Sequence, residues 1–346
     1  MANEPIDHLG SLIGASRAMQ SIFDRIRKAA ASDVTVLLTG ESGTGKELAA
    51  REIHRLSQRA KGMFVPVNAG AIPRDLTASE LFGHEAGAFT GAAARRMGKF
   101  EVADGGTLFL DEIAATDGAT QIALLRALEE RAISRLGGDR PIPVDVRFLA
   151  ATNESLTRAI RDGRFREDLY YRLDIFQIRL PPLRDRDDDV RLLAAGFLVD
   201  CAKEAGREMR GISGEAMACL TNYSWPGNVR ELRNCIQRAV VASDGDEIQR
   251  GDLPKRLQKV SHVTKEVTFK LRRRLGDVEK AYVLQTLSDC GGNKMEASRL
   301  LGISRKTLYE KLARWKRDEE EETGDVFSLG DEETIPIEQP RSLEDE

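Results

Sequence analysis

The eight residues Gly40-Glu41-Ser42-Gly43-Thr44-Gly45-Lys46-Glu47 lie between an apolar run and a stretch of helical spacing that starts at Lys46 and reaches about Ser57. Strand, glycine-rich turn and helix together form the setting of a P-loop. The glycines let the turn offer backbone N–H groups to phosphates, the helix N-terminus adds positive potential, and Lys46 can reach the β- and γ-phosphates of a nucleoside triphosphate. Glu47 stands where a Ser or Thr hydroxyl usually meets Mg²⁺, which leaves metal contact at that position open. Further along, Gly105-Gly106 leads into Thr107-Leu108-Phe109-Leu110, and this apolar run ends in Asp111-Glu112. Acids at the C-terminal end of a strand face the ligand crevice of an α/β sheet. Asp111 is therefore the candidate Mg²⁺ holder, and Glu112 the candidate group that polarises water for in-line attack on the γ-phosphate. Alone, Asp-Glu after a strand reads as a solvated turn; the P-loop gives the pair its meaning. A third strand-like run ends in Thr152-Asn153, where Asn153 could bond the γ-phosphate or the attacking water, or could cap a helix.

The elements that must position these groups can be read from periodicity. Short β-rich runs at 34–39, 64–68, 107–110, 144–151 and 176–180 alternate with helical stretches, which predicts an α/β layer around a parallel sheet. Pro181-Pro182 stops the last run. Helical spacing at 189–204, 213–222 and 229–243, broken by Pro226-Gly227, predicts a small helical subdomain, and mixed charge from 251 to 274 reads as a linker.

A compact all-α unit follows. Gly291-Gly292-Asn293 precedes a short helix, then Gly302-Ile303-Ser304 and a longer helix from Arg305 to about Arg317. Asn293 and Ser304 are suitable N-caps, and Gly302 permits a tight turn. Ala297, Leu300, Leu301, Ile303, Leu308 and Leu312 can form the core. Arg305, Lys306, Thr307, Tyr309, Lys311 and Arg314 then face outward, either toward the bases and phosphates of double-stranded DNA or simply as a solvated basic face. The acid-rich stretch 318–346 has few large apolar residues and is expected to be disordered.

Composition agrees with a multidomain protein of 346 residues, 41% hydrophobic and 31% charged, with a net charge of −4 that argues against indiscriminate coating of nucleic acid. No apolar run approaches the length of a membrane helix and the start has no secretory signal, so a cytoplasmic location is expected. Cys201, Cys219, Cys235 and Cys290 show no C-x-x-C spacing, and His8, His54, His84 and His262 do not cluster with them, so neither disulfides nor structural zinc is indicated.

Glu80-Leu81-Phe82-Gly83-His84-Glu85-Ala86 runs into Gly87-Ala88-Phe89-Thr90-Gly91-Ala92. With the P-loop and its final glutamate, these residues resemble the AAA+ ATPase domain of the sigma-54-dependent activators, the bacterial enhancer-binding proteins, over about 12–252. The resemblance implies that the hexapeptide 87–92 touches sigma-54, and Phe89 and Thr90 between small residues suit a mobile tip with an apolar anchor. It also implies that Asn68 switches Glu112, that 134–143 braces the sigma-contacting loop, and that Arg166 and Arg172 are arginine fingers acting on a neighbouring subunit. Within Trp225-Pro226-Gly227-Asn228-Val229-Arg230-Glu231-Leu232 it makes Arg230 a nucleotide sensor. The C-terminal unit resembles a Fis-type helix-turn-helix.

The expected organisation is an N-terminal segment at 1–11, an AAA+ P-loop parallel-sheet subdomain at 12–180, a helical lid at 181–250, a linker at 251–274, a helix-turn-helix domain at 275–317 and the tail at 318–346. The implied activity is ATP hydrolysis with Mg²⁺ in a homo-oligomer, expected to be a hexamer, that remodels sigma-54 RNA polymerase at a promoter. A DNA-binding regulator that responds to ATP without remodelling polymerase would not need 87–92, and a general unfoldase or chelatase would not need the DNA-reading helix. Little precedes Leu12, so control is expected in trans or from a segment upstream of Met1.

Overall fold

Five parallel strands, β1 (Val36–Thr39), β2 (Phe64–Asn68), β3 (Thr107–Asp111), β4 (Arg147–Thr152) and β5 (Phe176–Arg179), lie in the order β5-β1-β4-β3-β2. The computed structural model describes residues 8–88, 92, 94–258, 274–290 and 293–324. The side chains of Asp289, Glu296 and 316–324 are outside that description. All five strands fall where the short β-rich runs predicted them: the three central strands are covered on both faces and read as near-continuous apolar runs, whereas the edge strands β2 and β5 alternate buried and exposed residues.

Side-chain alternation splits the core in two. Leu37, Leu108, Leu110, Phe148 and Ala150 face a layer that includes the helices Arg74–Phe82, Gly118–Glu130, Leu156–Arg161 and Glu167–Leu173. Val36, Leu38, Phe109, Leu149 and Ala151 face Arg17–Ala30 and the P-loop helix Lys46–Arg55. The period of two along each strand thus fixes which helices the strand can hold. Residues 8–11, expected in a separate segment, belong to this subdomain: His8–Leu9 pairs with Leu12–Ile13 in a short hairpin, and Leu9 and Leu12 are buried.

The lid consists of Asp189–Glu204, Gly214–Thr221 and Asn228–Ala242, packed around Trp225, whose indole Nε1–H donates to the Leu220 carbonyl at 2.8 Å. Its extent differs from the sequence expectation. Leu253 and Leu257, assigned to a linker, are buried in the lid core, the latter on the short helix Lys255–Gln258. Two apolar residues four apart amid charges are too few to give a helical period, yet they suffice to dock one turn. Residues 259–273 of the expected linker lie outside the described residues.

The C-terminal unit, described on its own, has helices Leu275–Asp289, Lys294–Leu300 and Arg305–Gly324 around Val283, Ala297, Leu308 and Trp315. Leu301, Ile303 and Leu312 pack against this core as expected, but Leu300 is 64% exposed. Ala297 and Leu301, four residues apart, form the core-facing stripe of this helix, and Leu300, one position before Leu301 and so about 100° around the helix from it, is left at the edge facing solvent. The last helix also runs to Gly324, past the expected end near Arg317, so part of the expected disordered tail is helical. Residues 325–346 lie outside the described residues. Among the described residues no helix is long and apolar enough to cross a membrane.

Candidate functional site: a nucleotide cradle between sheet and lid

Strand registry gathers the candidate chemistry at one edge. Thr39 of β1 pairs with Thr152 of β4, and Asn68 of β2 pairs with Asp111 of β3, so Gly40, Asn153, Glu112 and Asn68 all leave the sheet at its C-terminal side. A crevice at the C-terminal ends of parallel strands is where ligands of such sheets bind. Gly40, Gly43 and Gly45 have φ of +147°, +80° and +102°, conformations that side chains strongly disfavour. Gly45 is the N-cap of the Lys46 helix. Lys46 is buried, and its Nζ donates to the carbonyls of Gly40 at 2.8 Å and Glu41 at 3.1 Å. Burial pushes its pKa below the usual lysine value, against the opposing pull of the Asp111 and Glu112 carboxylates, while Arg230 lowers it further.

Glu112 sits at φ +55°, and its N–H donates to Asp111 Oδ1 at 2.9 Å. A Cβ on Gly70 would lie 1.8 Å from Glu112 Oε2 and 3.3 Å from Asn68 Oδ1, so the glutamate lies over the Gly70 backbone beside Asn68. Asn68 Oδ1 accepts the Ala71 N–H at 3.1 Å. Asn153 is exposed, and the helix-capping alternative considered for it falls to Ser155, which caps Leu156–Arg161. Glu47 turns along its own helix to Arg51, with Oε1 2.7 Å from Nη2.

The lid closes on the outer side of this turn. Arg230 Nη1 donates to Ser42 Oγ at 3.2 Å, and Thr44 is buried with its hydroxyl on the Glu41 carbonyl. Glu41 has a different environment from the one its motif suggests: its carboxylate takes two bonds from Arg184, at 2.6 and 3.0 Å, and one from Asn228 Nδ2 at 3.1 Å. The hydrogen bonds from Arg184 and then Asn228 hold its pKa at about 2. Sequence reasoning missed Asn228, Arg184 and Arg186. The first sits two residues before Arg230, where its neighbours in sequence give no sign of its partners, and the other two sit in a charge run that reads as solvated surface.

The loop containing 87–92 is held at its base. Gly87 N–H donates to the Ala92 carbonyl at 2.8 Å, and Ala92 is buried. Phe89, Thr90 and Gly91 lie outside the described residues. Ala88 approaches Gly137, whose added Cβ would meet Ala88 Cβ at 2.8 Å, and Glu85 N–H bonds the Leu136 carbonyl at 3.0 Å. Between the two segments Arg135, 7% exposed, bonds Glu85 at 2.8 Å and clasps Glu101. The guanidinium holds the Glu101 carboxyl below its ordinary pKa despite its burial. At the N-cap of the Glu167–Leu173 helix, Arg166 is exposed and forms two bonds to Asp168 at 2.6 and 3.0 Å, while Arg172, in the last turn, donates to the Leu128 carbonyl at 3.0 Å.

In the C-terminal unit Asn293 Oδ1 accepts the Met295 N–H and Ser304 Oγ the Thr307 N–H, both at 3.1 Å, so both act as helix caps. Gly302 makes the turn at φ +65°. Arg305, Lys306, Tyr309 and Arg314 are exposed, and Tyr309 stacks under Lys294, whose Nζ is 4.7 Å from the ring centre. Thr307 is partly covered. Lys311, expected to face outward, is instead 22% exposed and pairs with Glu279 of the first helix at 2.9 Å. That carboxylate comes from an element whose packing could not be read from the two later helices.

Comparison with known proteins completes the picture. Residues 12–179 match the sigma-54 interaction domain, 184–268 the AAA+ ATPase lid domain, and 274–315 the bacterial regulatory protein, Fis family. Transcriptional regulatory protein ZraR of Salmonella typhimurium is 48% identical over 303 residues, covering 88% of this chain and 68% of that protein. Regulatory protein AtoC of Escherichia coli is 46% identical over 315 residues, with 89% and 68% covered. Among solved structures, NtrX from Brucella abortus in complex with ATP matches with a TM-score of 0.69 and 35% identity, over 88% of this chain and 69% of that one. A parallel-sheet AAA+ domain, a lid and a Fis-type helix-turn-helix in this order, together with that identity over most of a relative's length, make the chain a member of the sigma-54-dependent transcriptional activators.

Proposed function

We propose that this activator hydrolyses ATP in a homo-oligomeric ring, a hexamer, and uses the cycle to remodel the closed complex of sigma-54 RNA polymerase while its helix-turn-helix holds double-stranded DNA. The observation that carries the proposal is the meeting of Lys46, Asp111, Glu112 and Asn68 at one sheet edge, with Arg230 of the lid on the P-loop serine. The ATP complex of the NtrX neighbour supports ATP as the nucleotide. In this reading the backbone N–H groups of the turn and Lys46 bind phosphate, Glu112 takes a proton from the attacking water, and Asn153 orients water or γ-phosphate. Asn68, beside Glu112, sets the direction of that carboxylate.

The donor set suits Mg²⁺. Asp111 retains an oxygen beyond the one occupied by the Glu112 N–H, and one carboxylate plus substrate phosphates is an ordinary protein setting for this ion. Bound there, Mg²⁺ would neutralise charge on the β- and γ-phosphates. Arg166 and Arg172 act on the neighbouring protomer's nucleotide, which requires Arg166 to leave Asp168. The loop 87–92 contacts sigma-54, and Arg305, Lys306, Thr307, Tyr309 and Arg314 face DNA, with Lys311 engaged by Glu279. The working division is the ATPase and lid through residue 258 and the DNA-binding unit from 275.

Thr90→Ala tests the proposal, because 87–92 carries no charged side chain and is not among the residues that the proposal places on phosphate or metal. The variant should hydrolyse ATP at close to the parent rate, yet fail to bind sigma-54 in the presence of a transition-state mimic of ATP and fail to open a promoter. Undiminished sigma-54 binding and promoter opening would reject remodelling through this loop and leave a DNA-binding ATPase.

A further inference from the structure

Three consecutive carbonyls of the P-loop are each capped by a donor from the lid side. Ser42 O accepts Asn228 Nδ2 at 3.0 Å, Gly43 O accepts Val229 N–H at 3.0 Å, and Thr44 O accepts Arg186 Nη2 at 2.7 Å. The donors are well fixed. Asn228 is fully buried and 2% of Arg186 is exposed. Asn228 Oδ1 also accepts the Leu183 N–H at 2.8 Å, so one side chain ties the lid connector to the P-loop. The contact is close: a Cβ on Gly43 would stand 2.3 Å from the Gly227 carbonyl oxygen.

Across a trans peptide the C=O and the following N–H point in opposite directions. Caps on the carbonyls of Ser42, Gly43 and Thr44 therefore turn the N–H groups of Gly43, Thr44 and Gly45 away from the lid, toward the side on which a phosphate would lie. We propose that Asn228, assisted by Arg186, is a positioning residue that shapes the phosphate cradle from behind, so that docking of the lid and affinity for nucleotide phosphates are two sides of one equilibrium. This rests on the P-loop being the phosphate site. It assigns the lid a role distinct from that of Arg230: Arg230 reaches the serine side chain of the loop, whereas Asn228 fixes its backbone. By linkage, nucleotide binding must tighten the lid contact by the same factor.

Asn228 has φ +52°, a conformation open to Asn, Asp and Gly, which provides two variants that preserve the backbone. Asn228→Asp keeps the acceptor for Leu183 N–H and removes the Nδ2 bonds to Ser42 O, Glu41 and Pro226 O; Asn228→Gly removes the whole side chain. Each should raise the Kd for a fluorescent ADP and the KM for ATP by about tenfold or more, with a smaller change in kcat at saturating ATP, and should speed amide exchange across 43–45 in the nucleotide-free protein. A purely structural role would lower thermal stability without this split. Lys46→Ala, measured in parallel, must lose nucleotide binding. If it still binds, the phosphate site is misassigned and the proposal falls with it. If Lys46→Ala fails to bind while both Asn228 variants, or Asn228→Asp alone, bind ADP as the parent does, the site stands and the role of Asn228 is refuted. Should Asn228→Asp not fold, Asn228→Gly decides the question by the same measurements: weakened ADP binding supports the role, and parent-like binding refutes it.

Discussion

Gly43 and Gly87 share a backbone conformation, with φ of +80° and +83°, yet their surroundings differ completely. A Cβ on Gly43 would stand 2.3 Å from a lid carbonyl, whereas one on Gly87 would meet nothing within 4 Å. The P-loop is thus a turn held by a second subdomain at the distance of backbone contact. The loop at 87 is a turn whose described residues are held by the backbone bonds Gly87 N–H to Ala92 O and Ala88 N–H to Glu85 O, and it is braced from below by ions, Arg135 between Glu85 and Glu101. Glycine serves close approach in the first and only the turn in the second.

Gly43→Ala gives the sharpest test of this contrast, because the Gly227 carbonyl cannot move without shifting the lid helix. Nucleotide affinity should fall by about a hundredfold, combining the left-handed strain with the clash. Calorimetric titration with ATP would measure it, and retention within a few-fold would erase the distinction between the two turns. Arg135→Ala should come next on the opposite side of the comparison, since it strands a buried Glu101 and frees Glu85. Breaking such a pair costs about 3–5 kcal/mol, visible in chemical denaturation, and a loss no larger than that of a surface pair would show the brace to be ornamental.

Gly87→Ala should cost only about 1 kcal/mol, the strain of the left-handed conformation, and leave ATP affinity at the parent value. A drop in affinity like that of Gly43→Ala would mean that the two loops are coupled rather than contrasted. The smallest effect is expected at Glu41, whose carboxyl is held at about 2 in the folded chain against an ordinary 4.5. A depressed folded pKa contributes stability that is present above the ordinary value and lost as pH falls toward 2. The stability gap between the parent and Glu41→Gln should therefore be widest above about pH 4.5 and close in strong acid. Solvent screening of this exposed ion pair limits it to about 1 kcal/mol or less. A gap that does not change with pH would mean that the lid contact does not depend on the Glu41 charge.

The five strands and the P-loop helix were legible because each announces itself within a few residues, as an apolar run or a glycine pattern followed by helical spacing. Leu253 and Leu257 were not, since two leucines among charges carry no period and only the presence of the lid gives them something to pack on. Lys311 read as an outward cation because its own helix gives no sign of Glu279, and Leu300 read as core because a short helix leaves its inner face undetermined. At the candidate site Asn68, Asp111, Glu112 and Lys46 were named in advance and meet at one edge. Glu41, named with the nucleotide binders, has its carboxylate on Arg184 and Asn228 of the lid side.

By itself, the sequence determined what depends on neighbours in the chain: the alternation that puts Leu108 and Phe109 on opposite faces, the glycines that allow positive φ around Lys46, and the order of ATPase, lid and helix-turn-helix. The tertiary structure alone decided which groups meet across the subdomains. Asn228 lies 187 residues from Glu41 and 186 from Ser42, and no local period links them. Their meeting depends on how the lid docks, because a hydrogen bond needs its partners within about 3 Å, a distance that only the packing of two separate cores can set.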